Sequence, residues 1–483
     1  MSIFRMNLKK QFILTLSIAF LIVFLILLKW NTLNQPYYWD ALGYVTSAAQ
    51  HVLDNKFSSL IPPNDAGHPP AFLLLLAVTW FVFGNSLYVS HVLVILIGAV
   101  SLIYAYKLGT YLYNPKVGIA AASLLLFNQL FFAQLGTLNL DLPLVSLGII
   151  STYYYLKDKK GPYIVIASLM LLVKETSLIL IISFFVHSFI KDYINKELKF
   201  NLRYASNKVY LLLPALPLVL WYLYHWISVG WIIYSPNFVF HQSGFFERFF
   251  INSFNHFIFD FTVDNVNKYN WIVSLFILIT FFKTKKDDIL LLFVTIILAH
   301  TVLFSYSDDL PRYFLPILPF YYILGSNAIF TFSSRFKKKN IAFFVIILSI
   351  LLLFTLTYHG QRSRGCLETN LEYLDMIETH KQAVTYIEEN FYNMTILTSW
   401  PMTFELKNIG AGYAFKETNV LDYRNLPKNF SMEKHIVYFS PQSSTPYLIN
   451  SLNKEKNLIL IKRFEKNNKY AEIYLCCDQK QTY

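Results

Sequence analysis

Charge is scarce in this chain. Only 14% of its 483 residues are Asp, Glu, Lys or Arg, roughly half the share found in soluble domains. That argues against an ordinary soluble enzyme. The 55% of hydrophobic residues argue against disorder. Glycine and proline, 16 and 18 in number, follow no period, so collagen-like and low-complexity chains are excluded. Cysteine is limited to Cys366, Cys476 and Cys477. What is abundant is apolar sequence in long runs.

The net charge of +12 invites a nucleic-acid reading. The placement of the basic residues rejects it. They fall in short clusters between apolar runs: Lys157, Lys159 and Lys160; Lys191, Lys196, Lys199, Arg203 and Lys208; Lys283, Lys285 and Lys286; Arg335, Lys337, Lys338 and Lys339. This is the pattern of cytoplasmic loops, which carry the positive excess and meet anionic headgroups.

A spanning helix needs about 20 mostly apolar residues. Residues 11–30 supply the first, after Arg5, Lys9 and Lys10, which places the amino terminus in the cytoplasm. Lys29-Trp30-Asn31 is no signal-peptide cleavage site. Residues 69–84 open with Pro69-Pro70 and are read as an interfacial helix, because that parity puts Lys107 and Lys116 inside. Further crossings are expected at 88–108, 117–135, 142–156, 162–173, 176–190, 209–229, 271–282, 289–306, 313–333 and 340–358. The expected fold is a polytopic α-helical membrane protein, with about eleven crossings plus juxtamembrane helices. It carries a small C-terminal extracytoplasmic α/β domain.

The division falls into residues 1–358 and 359–483. In the tail, residues 371–391 have the period of an amphipathic helix. Met394–Trp400, His435–Ser440, Leu458–Arg463 and Tyr470–Leu475 read as strands, with a turn at Asn467-Asn468. All three cysteines lie here. A bridge from Cys366 to Cys476 or Cys477 would tie the domain's two ends, and three unbridged thiols are the equal alternative.

The crossing count places four charged features on one, external face. They are Tyr37–Tyr44 with Asp40, Asn139–Pro143 with Asp141, Lys174-Glu175, and Asp308–Tyr313 with Arg312. Carboxylates can take a proton from an attacking hydroxyl. Lys and Arg can hold a departing phosphate, Arg through two hydrogen bonds and Lys as a point charge. This set suits transfer from a lipid-phosphate donor whose tail lies in the bilayer.

At these residues the chain resembles glycosyltransferase family 39. That group of multispanning lipid-linked-sugar transferases includes the protein O-mannosyltransferases and the lipid A aminoarabinose transferase. The matching elements are Asp40 with Tyr44, then Gly67-His68-Pro69-Pro70 leading to Phe83-Gly84. Asp141, Leu172-Val173-Lys174, and Arg312-Tyr313 with Pro316 and Pro319 follow. Four positions depart from the family pattern: Ala41, His68, His91 and Glu175 stand where an acid, Lys, Arg and Gly are frequent. The resemblance implies Asp40 as general base and Asp141 as second essential acid. It implies donor-phosphate contact by Lys174 and Arg312, with Tyr44, His68, Glu175 and Tyr313 lining the substrate site. Glu175 is expected either to line it or to neutralise Lys174. Some relatives use a divalent cation near the donor phosphate; no ligand set for one stands out here.

The expectation is an integral plasma-membrane enzyme. It moves a single sugar from a polyprenyl-phosphate donor to a hydroxyl of a lipid, glycan or protein acceptor at the outer face. Its other contacts are membrane lipids, and nucleic acid is not among its partners. The alternatives are a transporter or lipid-linked-sugar flippase, which calls for mid-membrane charges and an internal repeat, and a non-catalytic assembly partner.

Overall fold

The computed structural model describes residues 2–196, 207–233, 270–281, 288–304, 311–334, 340–359, 368–426, 435–440 and 457–477. Cys366, Asp308 to Leu310 and most of the expected 230–270 loop lie outside them. The chain runs through a helical body into a tail built on a sheet.

The body contains fourteen α-helices among the described residues: α1 (Ser2–Leu28), α2 (Thr46–Asp54), α3 (Ala71–Phe83), α4 (Leu87–Leu112), α5 (Pro115–Leu126), α6 (Gln129–Gln134), α7 (Asp141–Leu156), α8 (Lys160–Val173), α9 (Leu178–Ile194), α10 (Ala215–Val229), α11 (Asn270–Phe281), α12 (Asp288–Phe304), α13 (Leu318–Ser334) and α14 (Asn340–His359). Helix α4 packs against both α5 and α7, and α13 lies on α5 and α11.

The helix starts follow local chemistry. The Ser86 hydroxyl accepts the Val89 N–H at the head of α4. Asn114 accepts from Lys116 and Val117 at the head of α5, with Pro115 at the first position.

The crossing expected over 117–135 is in fact two helices. Asn128 accepts the Leu130 and Phe131 N–H groups and starts α6 anew. Its amide also donates to the Tyr322 hydroxyl at 2.9 Å, so the break is buried and hydrogen-bonded.

Three helices among the described residues are long and apolar enough to cross a membrane: Leu87–Leu112, Glu175–Ile194 and Arg312–Ser334. Other apolar helices have 10–17 residues. A 15-residue helix such as α10 rises only about 22 Å, against roughly 30 Å of hydrocarbon. The count of about eleven therefore goes beyond what helix length establishes. Helix α10 still exposes Leu216, Val219, Leu220, Leu223, Trp226 and Ile227 together. So continuous an apolar face suits lipid rather than water.

The tail holds α15 (Tyr373–Asn390), α16 (Met402–Lys407) and strands β1 (Ile396–Thr398), β2 (Val420–Asp422), β3 (Ile436–Phe439), β4 (Asn457–Lys466) and β5 (Lys469–Cys477). The sheet order is β2-β1-β3-β5-β4. The first two pairings are parallel and the last two antiparallel. Helix α15 covers β4 and β5. Asn467 and Asn468 both take positive φ, 47° and 65°, as the tight turn between β4 and β5 requires. Strand β2 has only three residues and was not foreseen. Cys476 is buried on β5.

Tail and body share one contiguous apolar core, in which Tyr373, Met376 and Ile396 join Leu25, Phe72 and Leu142. The Tyr37 N–H donates to the Ala411 carbonyl at 2.9 Å. The Tyr38 ring lies 5.7 Å from that of Tyr373.

Candidate active site

Asp40 opens a short π-helical turn, Ala41–Val45. The residue before it, Trp39, has φ of 51°. A left-handed backbone at a bulky residue costs about 1–3 kcal/mol and persists only where surroundings enforce it. Trp400 from the tail supplies part of that enforcement, edge-on to Trp39 with ring centroids 4.6 Å apart. Gly43 leaves room for the same indole: a Cβ there would fall 2.7 Å from Trp400 Nε1.

Asp141 is the first residue of α7, where the helix dipole favours a carboxylate. Lys174 ends α8 with extended backbone (φ −155°, ψ 125°). Arg312 sits in the 3₁₀ segment Pro311–Ile317 that leads into α13. These turns bring together residues far apart in sequence. Lys174 Nζ donates to Asp141 Oδ1 at 2.6 Å. Arg312 Nη2 donates to Asp40 Oδ2, and its Nε lies 3.5 Å from Asp141 Oδ2. Lys174 lies 4.6 Å from the centre of the Tyr313 ring.

A residue the sequence reading did not single out completes the cluster. Glu368 Oε2 accepts from Arg312 Nη1 at 2.6 Å and from Asn139 Nδ2 at 2.8 Å. The Glu368 carbonyl accepts from Gln134 Nε2 at 3.0 Å. No local motif marks Glu368, because an acid at the start of a polar tail is unremarkable. Its φ of 54° is also left-handed.

Three carboxylates thus surround two cations. The side chains of Lys174, Arg312, Asp141 and Glu368 are 9%, 7%, 4% and 1% exposed, whereas Asp40 is 44% exposed. Burial pushes the Glu368 carboxyl up to about 7; Arg312 pulls it back and the charge of Asp40 adds to the rise. For Lys174, burial works against the charge, but Asp141 outweighs it and holds the ammonium above its ordinary value.

Glu175 and Lys174 take different ion-pair partners. Glu175 pairs with His68 Nδ1 at 3.0 Å. The extended backbone at Lys174 sends neighbouring side chains to opposite sides, so adjacent residues serve different partners. Tyr44 stands edge-on to His68 at 5.9 Å. Its hydroxyl is buried and meets no hydrogen-bond partner among the described residues. Burial, with Asp65 and Glu175 adding, pushes that phenol well above its ordinary range.

The loop carrying His68 is pinned from behind. His225 Nε2 lies 2.5 Å from Asp65 Oδ2, and Asp65 Oδ1 accepts the Gly67 N–H at 2.9 Å. Gly67 has φ of 80°, and a Cβ there would fall 2.2 Å from the Ile233 carbonyl. Neither Asp65 nor His225 was expected at the site.

Every expected site residue therefore falls in one of two adjoining groups. Asp40, Asp141, Lys174, Arg312 and Tyr313 form the first; Tyr44, His68 and Glu175 form the second. Among the described residues no group of three or more His, Cys, Asp or Glu side chains could hold a metal ion.

Residues 67–221 match the model of the dolichyl-phosphate-mannose-protein mannosyltransferase family. His68, Asp141, Lys174 and Glu175 lie inside that stretch, and Asp40 and Arg312 lie outside it. The fold is similar to the crystal structure of ArnT from Cupriavidus metallidurans bound to undecaprenyl phosphate. That match has a TM-score of 0.59 and 11% identity, covering 95% of this chain and 98% of ArnT. It is also similar to the Archaeoglobus fulgidus oligosaccharyltransferase, in a complex with zinc and sulfate. There the TM-score is 0.53 and the identity 12%, covering 94% of this chain and 72% of the archaeal one. A search of curated protein sequences gives no match. The resemblance read from the sequence is thus carried by a family model over part of the chain and by a shared fold over nearly all of it.

Proposed function

We propose that this chain is an integral-membrane glycosyltransferase that moves one sugar from a polyprenyl-phosphate donor to an acceptor hydroxyl at the outer face of the plasma membrane. The observation that carries the reading is a half-exposed Asp40 held on Arg312, which also faces Asp141. The likeness to membrane glycosyltransferases supports it.

In this reading Asp40 takes the proton of the acceptor hydroxyl. The oxygen forms a bond to the sugar's anomeric carbon, and the bond from that carbon to the phosphate oxygen breaks. Polyprenyl phosphate leaves with the electron pair. Lys174 and Arg312 neutralise the charge that develops on it. In the free chain both cations already face carboxylates, so the donor phosphate substitutes one anion for another. It would reach them from the open side, where Asp40 and His68 are 44% and 28% exposed. His68, Tyr44 and Glu175 line that approach. The lipid, glycan or protein nature of the acceptor decides which membrane component is modified.

The test is transfer by purified protein in lipid nanodiscs from a panel of undecaprenyl-phosphate sugars. Asp40→Asn is expected to lower kcat about 100- to 10,000-fold while donor binding persists. Full activity of that variant would remove Asp40 from the base role.

A further inference from the structure

We propose that Glu368, contributed by the C-terminal segment, is a positioning residue for this transfer: it fixes the Arg312 guanidinium so that Asp40 is held facing the acceptor hydroxyl. The inference rests on the function proposed above and adds to it a participant from outside the helical body.

Arg312 is a hub. Its Nη1 faces Glu368 at 2.6 Å, its Nη2 faces Asp40, and its Nε faces Asp141 at 3.5 Å. The guanidinium is planar and rigid, so fixing one edge sets the direction of the other. Glu368 is itself fixed. Asn139 holds its carboxylate and Gln134 its carbonyl, both from the stretch that leads into Asp141. Its left-handed backbone persists because these bonds enforce it. The second acid's own segment thus holds the residue that orients the arginine.

A bare docking role does not account for this. The tail is already held by Trp400 on Trp39, by the Tyr37 N–H on the Ala411 carbonyl, and by Gln35 Nε2 on the Tyr373 hydroxyl at 3.1 Å. None of these contacts needs a buried charge. A carboxylate aimed at Arg312 does something they do not: it holds Nη1, the guanidinium nitrogen next to the Nη2 that binds Asp40.

Glu368 faces Arg312 and Asp40 directly, and Tyr373 from α15. Asp141 and Lys174 lie one link further, through Arg312. Because burial pushes its carboxyl up to about 7, its charge changes near neutral pH. Activity is therefore expected to rise as Glu368 ionises.

The experiment compares wild type, Glu368→Gln, Glu368→Asp and Asp40→Asn, all full-length in nanodiscs with the same donor panel. Glu368→Gln is expected to lower kcat about 10- to 100-fold, change donor KM less than about threefold, and lose the acid limb near pH 7. Glu368→Asp is expected to restore part of kcat and the limb. Wild-type kcat with the limb intact in a folded Glu368→Gln protein, beside a dead Asp40→Asn, overturns this inference alone. So does a loss of kcat in both Glu368 variants that tracks only their loss of thermal stability. No turnover by wild type, or full turnover by Asp40→Asn, overturns the function reading and this inference with it.

Discussion

Two ion-pair groups stand side by side in this protein, and they are built on different principles. The Arg312 group draws carboxylates from three segments, one before α2, one heading α7 and one from the tail, and all but Asp40 are buried. The His68–Glu175 group joins a loop to a helix junction, is partly open, and exists as an ion pair only while His68 is protonated. The first fixes charges that water does not screen. The second is a part-buried pair, with His68 28% and Glu175 15% exposed. A buried network sets geometry; a part-buried pair at the site's edge tunes access.

Breaking the first group has the largest expected effect. Arg312→Met leaves buried Glu368 and half-exposed Asp40 without their cation, and Asp141 with Lys174 alone. A stability loss of about 3–5 kcal/mol is expected, with loss of transfer, measured by thermal unfolding in detergent. A variant as stable as wild type would show that the cluster's charges are not mutually dependent. Next in size is Gly43→Ala, which drives a methyl group toward the Trp400 indole. A cost of about 1–3 kcal/mol is expected, with faster proteolytic release of the tail. Unchanged cleavage would show that the Trp39–Trp400 contact is not what seats the tail.

A pH series sharpens the comparison further. Glu368 is pushed from an ordinary value of 4.5 up to about 7 in the folded protein. Between those values the folded state binds more protons than the unfolded one, so this residue's contribution to stability falls as pH rises toward about 7. Glu368→Gln is expected to flatten that part of the stability–pH curve, and an unchanged slope would assign it to other groups. The smallest effect belongs to the open pair. Glu175→Gln is expected to cost less than about 1 kcal/mol and to raise donor KM a few-fold. A collapse in kcat instead would move Glu175 into the first group.

Apolar runs made much of this legible. Where a chain is mostly lipid-compatible, charges are expected at helix ends, and the expected parity put Asp40, Asp141, Lys174 and Arg312 on one side; the structure brings these four together. The strands after residue 394 were visible from alternation and turn residues, except three-residue β2, which is too short to show a period. The break at Asn128 was missed because apolar composition runs through it; the Asn-Gln pair before Leu130 was the available signal for a helix cap. Glu368, Asp65 and His225 carried no local signal, since each acquires its meaning from a partner 56 to 160 residues away.

The sequence by itself determined the membrane-embedded character, the helical body with a mixed tail, and the identity of the four central charged residues. Those properties follow from composition and spacing along the chain. The tertiary structure alone decided who pairs with whom: Lys174 with Asp141 rather than Glu175, Glu175 with His68, and a tail carboxylate on Arg312. Coulombic partners are chosen by distance and burial in three dimensions, and neither is written in local sequence.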